Sequence, residues 1–225
     1  MSIQNESGNL MPKIPDSFKK AVYFEKSGNF FIPAARMMYA SLFTPTPPSQ
    51  DEDDEKKFIW SVTALIPAGF DLSAIEEEVE RLIDREHKPA NDKLRAKITR
   101  PFLDTAGIRS LASLADEYPV CLRLSAKAYD KNGKRRQAPG VVDMHGKPVS
   151  PDNEPDETYN GRWFRASVNP YAWSHKTGGE GVSLGLVNAQ LLWHDDPLAG
   201  GKVAAESEFE AISDEEMADL EGAFE

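Results

Sequence analysis

The stretch Val120-Cys-Leu-Arg-Leu-Ser-Ala-Lys-Ala-Tyr-Asp130, with Lys131, Asn132 and Gly133 behind it, decides the fold. Val120, Leu122, Leu124, Ala126 and Ala128 share one parity, and Arg123, Ser125, Lys127 and Tyr129 share the other. A period of two puts these sets on opposite faces of a β-strand, one packed on a core and one basic and wet. Asn132-Gly133 favours a type I′ hairpin turn, so the chain is expected to reverse there and return through Lys134, Arg135 and Arg136 toward Val141 and Val142. A further hairpin turn is expected at His145-Gly146.

The same alternation recurs on both sides of this segment. In Trp163-Phe-Arg-Ala-Ser-Val-Asn-Pro-Tyr-Ala-Trp173, residues Phe164, Ala166 and Val168 are expected inward, with Trp163, Arg165, Ser167, Asn169, Tyr171 and Trp173 on the other parity and a bulge or edge at Pro170. Thr177 to Gly181 reads as a loop before a last strand over Val182 to Leu192. Upstream, Phe58 to Pro67 is rich in aromatic and β-branched residues and reads as a strand. A helix follows: Ser73 and Glu76 form a capping box, and Ile75, Val79, Leu82 and Ile83 make one apolar stripe, leaving Glu77, Glu80 and Asp84 in solvent. Residues 44–57, prolines followed by the acidic block Asp51–Glu55, read as a mobile loop. Short strands with turn signals, one internal helix and no βαβ repetition predict a small antiparallel barrel.

The chain has 225 residues and a formal net charge of −11, enough length for one core and an overall charge that argues against a polyanion as partner. That argument fails once the charge is divided. Val203–Glu225 holds nine acids and no Lys or Arg, whereas Lys93–Lys147 holds twelve bases against five acids. Screening acts over about 8–10 Å, so the local excess decides what binds the body of the protein. The lone Cys121 excludes a disulfide framework and fits a reducing compartment. No apolar run approaches the ~20 residues of a membrane span, and the polar start MSIQNESGN lacks the pattern of a signal peptide.

Catalytic patterns are weak. Gly181-Val-Ser-Leu-Gly185 matches the G-x-S-x-G nucleophile elbow, which would make Ser183 the nucleophile of a hydrolase. Its context is wrong: Val182, Leu184 and Leu186 alternate like a strand, and the only downstream histidine, His194, is separated from Ser183 by no acid. His87, His145, His175 and His194 show no metal-ligand spacing, and the Gly-Lys pairs at Gly133, Gly146 and Gly201 lack the upstream glycine of a phosphate loop. Neither a metal nor a cofactor is expected.

What remains is a set of aromatics interleaved with cations on the faces of expected strands: Arg123, Lys127, Tyr129, Lys134, Arg135, Arg136, Trp163, Arg165, Tyr171 and Trp173. Single-stranded nucleic acid needs this combination. Unpaired bases offer π-faces to flat side chains, worth about 1–3 kcal/mol per base, while cations neutralise phosphates. The cations above are expected on phosphates, and some of Tyr129, Trp163, Tyr171 and Trp173 on bases.

In sequence order, the motifs Met38–Phe43, Ala64–Pro67, Pro139–Asp143, Gly146-Lys-Pro148, Tyr159-Asn-Gly161, Arg165–Asn169, Gly181–Leu186, Asn188-Ala-Gln190 and Pro197–Gly201 cover about residues 36–202. This ordered set resembles the bacteriophage single-stranded DNA-binding proteins with an oligonucleotide-binding (OB) fold, the DUF2815 group, distantly similar to the single-stranded DNA-binding protein of phage T7. The resemblance implies a mainly β protein: an OB-fold-like antiparallel five-stranded barrel with an internal α-helix, long loops and a disordered acidic C-terminal tail. It divides the chain into a DNA-binding domain over residues 1–202 and a tail over 203–225. It also implies sequence-independent coating of single-stranded DNA, without catalysis, in replication, recombination or repair in the cytoplasm of the infected host. Asp51–Glu55 and Thr105–Tyr118 depart from the pattern, and Phe224 is penultimate where the T7 relative ends in an aromatic residue.

The tail has two expected roles. As a tethered polyanion it competes with DNA for the basic face. Met217, Leu220 and Phe224, at helical spacing, also offer an apolar face to phage or host replication proteins. A homodimer is compatible with both. The alternative from another class is an acidic protein-interaction adaptor or scaffold whose aromatic face binds protein and not DNA.

Overall fold

The computed structural model describes residues 13–175 and 179–198. Its strands are β1 (Val22–Phe24), β2 (Asn29–Phe31), β3 (Ala35–Thr46), β4 (Ile59–Ile66), β5 (Phe102–Asp104), β6 (Val120–Lys127), β7 (Gly140–Val142), β8 (Trp163–Ser174) and β9 (Glu180–Leu191), with helices α1 (Ser73–Leu82), α2 (Asp92–Arg95) and α3 (Glu154–Glu157). Five strands close a ring of pairings: β3 with β4, β4 with β6, β6 with β9, β9 with β8, and β8 back to β3. The β1–β2 hairpin extends the sheet from β8, β5 lies on β6, and β7 lies on β9. The molecule is mainly β and consistent with an OB-like fold.

The alternation in the sequence is what builds this ring. In β4, Val62, Ala64 and Ile66 point inward, while Ile59, Ser61, Thr63 and Leu65 take the outer face. The interior is filled by Met37, Val62, Leu122, Leu124, Phe164, Ala166, Val168, Val182, Leu184 and Leu191. Ile75, Val79, Leu82 and Ile83 from α1 and the turn after it join that core, each adding about 1.5–3 kcal/mol on full burial. A second cluster covers part of the outer face, where Leu111 and Tyr118 pack on Met38, Leu65 and Cys121. Thr105–Tyr118, which matches no family pattern, therefore serves as a cover, and burial raises the pKa of the Cys121 thiol.

Five expectations require correction. The ring is not wholly antiparallel: β6 and β9 run parallel, with Leu124 opposite Leu184 and Ser125 opposite Gly185. The chain passes through β8 between them, a connection long enough to bring β9 back in the direction of β6. The return after Asp130 is short. Tyr129 bridges Arg135, but Val141 and Val142 pair with β9 in parallel and not with β6. Only Gly133 of the Asn-Gly pair has a positive φ, because Asp130 Oδ1 accepts from the Asn132 and Lys134 amides and stabilises a turn over Asp130–Lys134 that is not type I′. The helix has no Ser73 capping box. Asp71 Oδ1 accepts from the Ser73 amide at 2.8 Å, and the Ser73 side chain first, with this amide second, holds the Asp71 carboxyl below its ordinary pKa. Finally, β3 continues to Thr46, which pairs with Ile59; the register shift after Ser41 accommodates the missing amide of Pro45.

The expected turn at His145-Gly146 is present, with the Asp143 side chain accepting from the His145 and Lys147 amides. No helix among the described residues is long and apolar enough to cross a membrane.

Candidate nucleic-acid interface

Outside the covered patch, the exterior of the ring has a floor of small residues. Ser61 stands opposite Ser125, Ser125 opposite Gly185, and Gly185 opposite Asn169, so the row crosses β4, β6, β9 and β8. Ser41 Oγ on β3 lies 3.4 Å from Ser61 Oγ and extends it. Arg123 and Lys127 flank Ser125 on the same face of β6, both exposed. Neither makes an ion pair among the described residues.

Two aromatic rings from β8 border this floor. Tyr171 is opposite Ser183 and 43% exposed, with its ring lying over Gly185. Trp173 is opposite Gly181, where a Cβ would come within 2.5 Å of the indole Cζ2. Its Nε1 donates to Ser183 Oγ at 2.9 Å. This explains the G-x-S-x-G match. The glycines let two rings lie on β9, and the serine hydroxyl fixes one of them. Ser183 sits inside a strand and not on a strand-to-helix turn, and His194 stacks on Tyr159, so the elbow geometry is not met.

Beyond Lys127 the chain forms a projecting basic turn. Tyr129 is half-buried at its base; Lys134, Arg135 and Arg136 are exposed and make no ion pair among the described residues. Arg136 donates its amide to Ala128 O at 2.8 Å, which ties the turn to the end of β6. The strand pairings thus bring Arg123, Lys127, Tyr171 and Trp173 to one outward face of the ring, and the turn that carries Tyr129, Lys134, Arg135 and Arg136 follows directly on β6.

Trp163 and Arg165 do not join them, although they share the outer parity of β8. Trp163 is buried, and its Nε1 donates to Asp195 Oδ2 at 2.7 Å. It packs with Ala34 and Leu192, and the Arg36 guanidinium lies 5.3 Å from its ring centroid. It offers no ring face to a base. Arg165 donates to Gln190 Oε1 at 2.8 Å and lies over the Phe18 ring at 4.4 Å; this burial lowers its pKa. Phe18 and the β1–β2 hairpin cover this half of β8, a contact between distant residues that strand parity does not encode. Met217, Leu220 and Phe224 lie outside the described residues. No group of three or more His, Cys, Asp or Glu side chains among the described residues is arranged to hold a metal.

The patterns missed two features of the site. The serine and glycine floor carries no charge or ring to draw attention; its only sequence signal is small residues at alternate positions. Tyr39, half-exposed, sits at a bulge in a strand that the patterns did not single out.

The sequence profile of the family described as the Enterobacter phage Enc34 ssDNA-binding protein matches residues 29–220. No curated protein matches the chain. Among solved structures, the single-stranded DNA-binding protein from bacteriophage Enc34 in complex with ssDNA is similar with a TM-score of 0.62 at 17% identity, over 80% of this chain and 94% of that one. Another structure of the Enc34 protein gives 0.60 at 18% identity, over 85% and 95%. Gp2.5, a single-stranded DNA-binding protein encoded by bacteriophage T7, gives 0.54 at 16% identity, over 78% and 97%. These identities show a shared fold, and the profile spans most of the chain. The chain belongs to the Enc34 phage single-stranded DNA-binding protein family.

Proposed function

We propose that this chain binds single-stranded DNA without regard to sequence, coating it during phage DNA replication, recombination or repair in the infected cell. The observation that carries the reading is the open face itself: two seated rings, Tyr171 and Trp173, beside a floor of Ser61, Ser125 and Gly185, and a row of cations with no acidic partner among the described residues. Unpaired bases stack on the rings, and Arg123, Lys127, Lys134, Arg135 and Arg136 neutralise phosphates. A duplex keeps its bases stacked inside and cannot use the rings, so the face selects single strands. Every base has a π-face, so it does so without reading sequence. The OB-fold five-stranded barrel supplies the rigid support.

In the same reading the acidic tail, residues 203–225, is an internal competitor. Tethered near the cations, it occupies them at high effective concentration and yields to DNA. Its apolar positions Met217, Leu220 and Phe224 then become free for replication partners.

Anisotropy of a fluorescein-labelled oligo(dT) titrated with the full chain and with a chain ending at Lys202, at two salt concentrations and against a duplex of equal length, tests both parts. The expected result is salt-sensitive, single-strand-selective binding that tightens without the tail, most at low salt. Binding that weakens on truncation would reject the competing tail. Absence of binding by both chains would overturn the DNA reading in favour of a protein-binding scaffold.

A further inference from the structure

We infer that Tyr39 is an additional nucleic-acid contact, an aromatic ring held in place by a strained backbone and by Asn160. The inference rests on the proposed single-stranded DNA binding and adds a residue to that face. Tyr39 has φ 52°, the left-handed region, which L side chains adopt only at a cost. The other non-glycine residue with positive φ among those described, Lys88, follows a helical turn, where that conformation is ordinary. Tyr39 instead interrupts a strand.

The interruption is a bulge. Met38 pairs with Thr63 and Ser41 with Ser61, so Tyr39 and Ala40 together face Val62. Alternation holds on either side: Met37, Ala40 and Leu42 contact the inner core, whereas Met38 lies in the outer cluster and Ser41 on the outer floor. The extra residue is Tyr39, placed where the covered part of the exterior gives way to the open part. Packing does not require its side chain. The residue is 50% exposed, and among the described residues its hydroxyl makes no hydrogen bond and its ring no aromatic pair.

The surroundings enforce the conformation. Asn160 Oδ1 accepts from the Tyr39 amide at 2.9 Å. The Asn160 loop is itself fixed, because the Gly161 amide donates to Met37 O at 2.7 Å and the Leu198 amide to Asn160 O at 3.0 Å. Strain that the fold maintains around an exposed aromatic side chain, beside a floor of hydroxyl groups, is strain spent on presenting a ring. Bases stack on such rings whatever their sequence.

The test compares oligo(dT) affinity and thermal stability for the full chain and its Tyr39→Gly and Tyr39→Phe variants. Glycine accepts φ 52° without cost, so Tyr39→Gly is expected to melt at the parent temperature or above while binding roughly 5- to 100-fold more weakly. Tyr39→Phe is expected to bind like the parent. Parent-like affinity in Tyr39→Gly, or a lowered melting temperature in that variant, would overturn the inference and leave the proposed function standing. A parent that fails to bind DNA would overturn both.

Discussion

The Trp163 indole donates to the same Asp195 carboxylate that pairs with Arg36 at 2.8 Å, and Arg36 also donates to the carbonyls of Gly161 and Asp196. A guanidinium this deeply buried needs all of its acceptors, because an unpaired buried charge costs several kcal/mol. Trp163→Phe removes one donor from Asp195 and leaves a small cavity where the larger indole packed. It is expected to lower unfolding stability by about 1–3 kcal/mol while leaving oligo(dT) affinity unchanged, as measured by urea denaturation beside anisotropy. The Trp173 indole donates to a serine at the edge of the open face, so its loss should register first in binding. Two tryptophans on one parity of one strand thus do different work, and what differs is whether other segments cover them.

Among the elements, α1 shows how a charge run acquires a structural role. Its inward stripe is the expected one, but Glu80 on the other side is not merely solvated. Its carboxylate accepts from Arg100 Nε at 2.6 Å and from Arg95 at 2.5 Å, and thereby fastens the segment after α2 to the helix. The Arg100 hydrogen bond is the main reason the Glu80 pKa falls below its ordinary value. A carboxyl with a lowered folded-state pKa contributes stability above the pH at which the unfolded chain titrates, about 4.3 for glutamate, and loses it as the pH falls through the folded value. The parent is therefore expected to lose stability on acidification in that window more steeply than Glu80→Gln. Denaturation midpoints of the two chains from pH 6 to 3 check this, and parallel curves would sink it. Glu80 is partly exposed, so the effect is small and shrinks with added salt.

For the whole molecule, the separation of charge matters more than its total. A net charge of −11 coexists with a face whose cations have no acidic partner among the described residues. If that face neutralises roughly four phosphates, log affinity should fall against log salt with a slope near −3. Replacing Lys134, Arg135 and Arg136 together by Ala should reduce that slope by about 2, at about 0.7 per lost phosphate contact, with little change in folding stability. An unchanged slope in the triple variant would remove the basic turn from the interface.

Alternation along Val120–Asp130, Trp163–Trp173 and Val182–Leu192, with the aromatic and β-branched composition of Phe58–Pro67, was enough to identify four of the five ring strands, and helical spacing the inward stripe of α1, because side-chain period and propensity are local properties. The same local reading identified the basic turn and the parity of Tyr171 and Trp173. It did not find β3, whose bulge breaks the period, or the parallel pairing of β6 with β9, which depends on where a distant strand returns. Nor did it distinguish Trp163 and Arg165 from Tyr171 and Trp173, since all four share one face of β8 and contacts from other segments, those of Phe18, Phe31 and Asp195 among them, separate the covered half from the open one. Periodicity determined which side of each strand meets solvent or core. The tertiary structure decided which outward side chains stay uncovered, because burial from outside comes from segments far along the chain that no local pattern encodes.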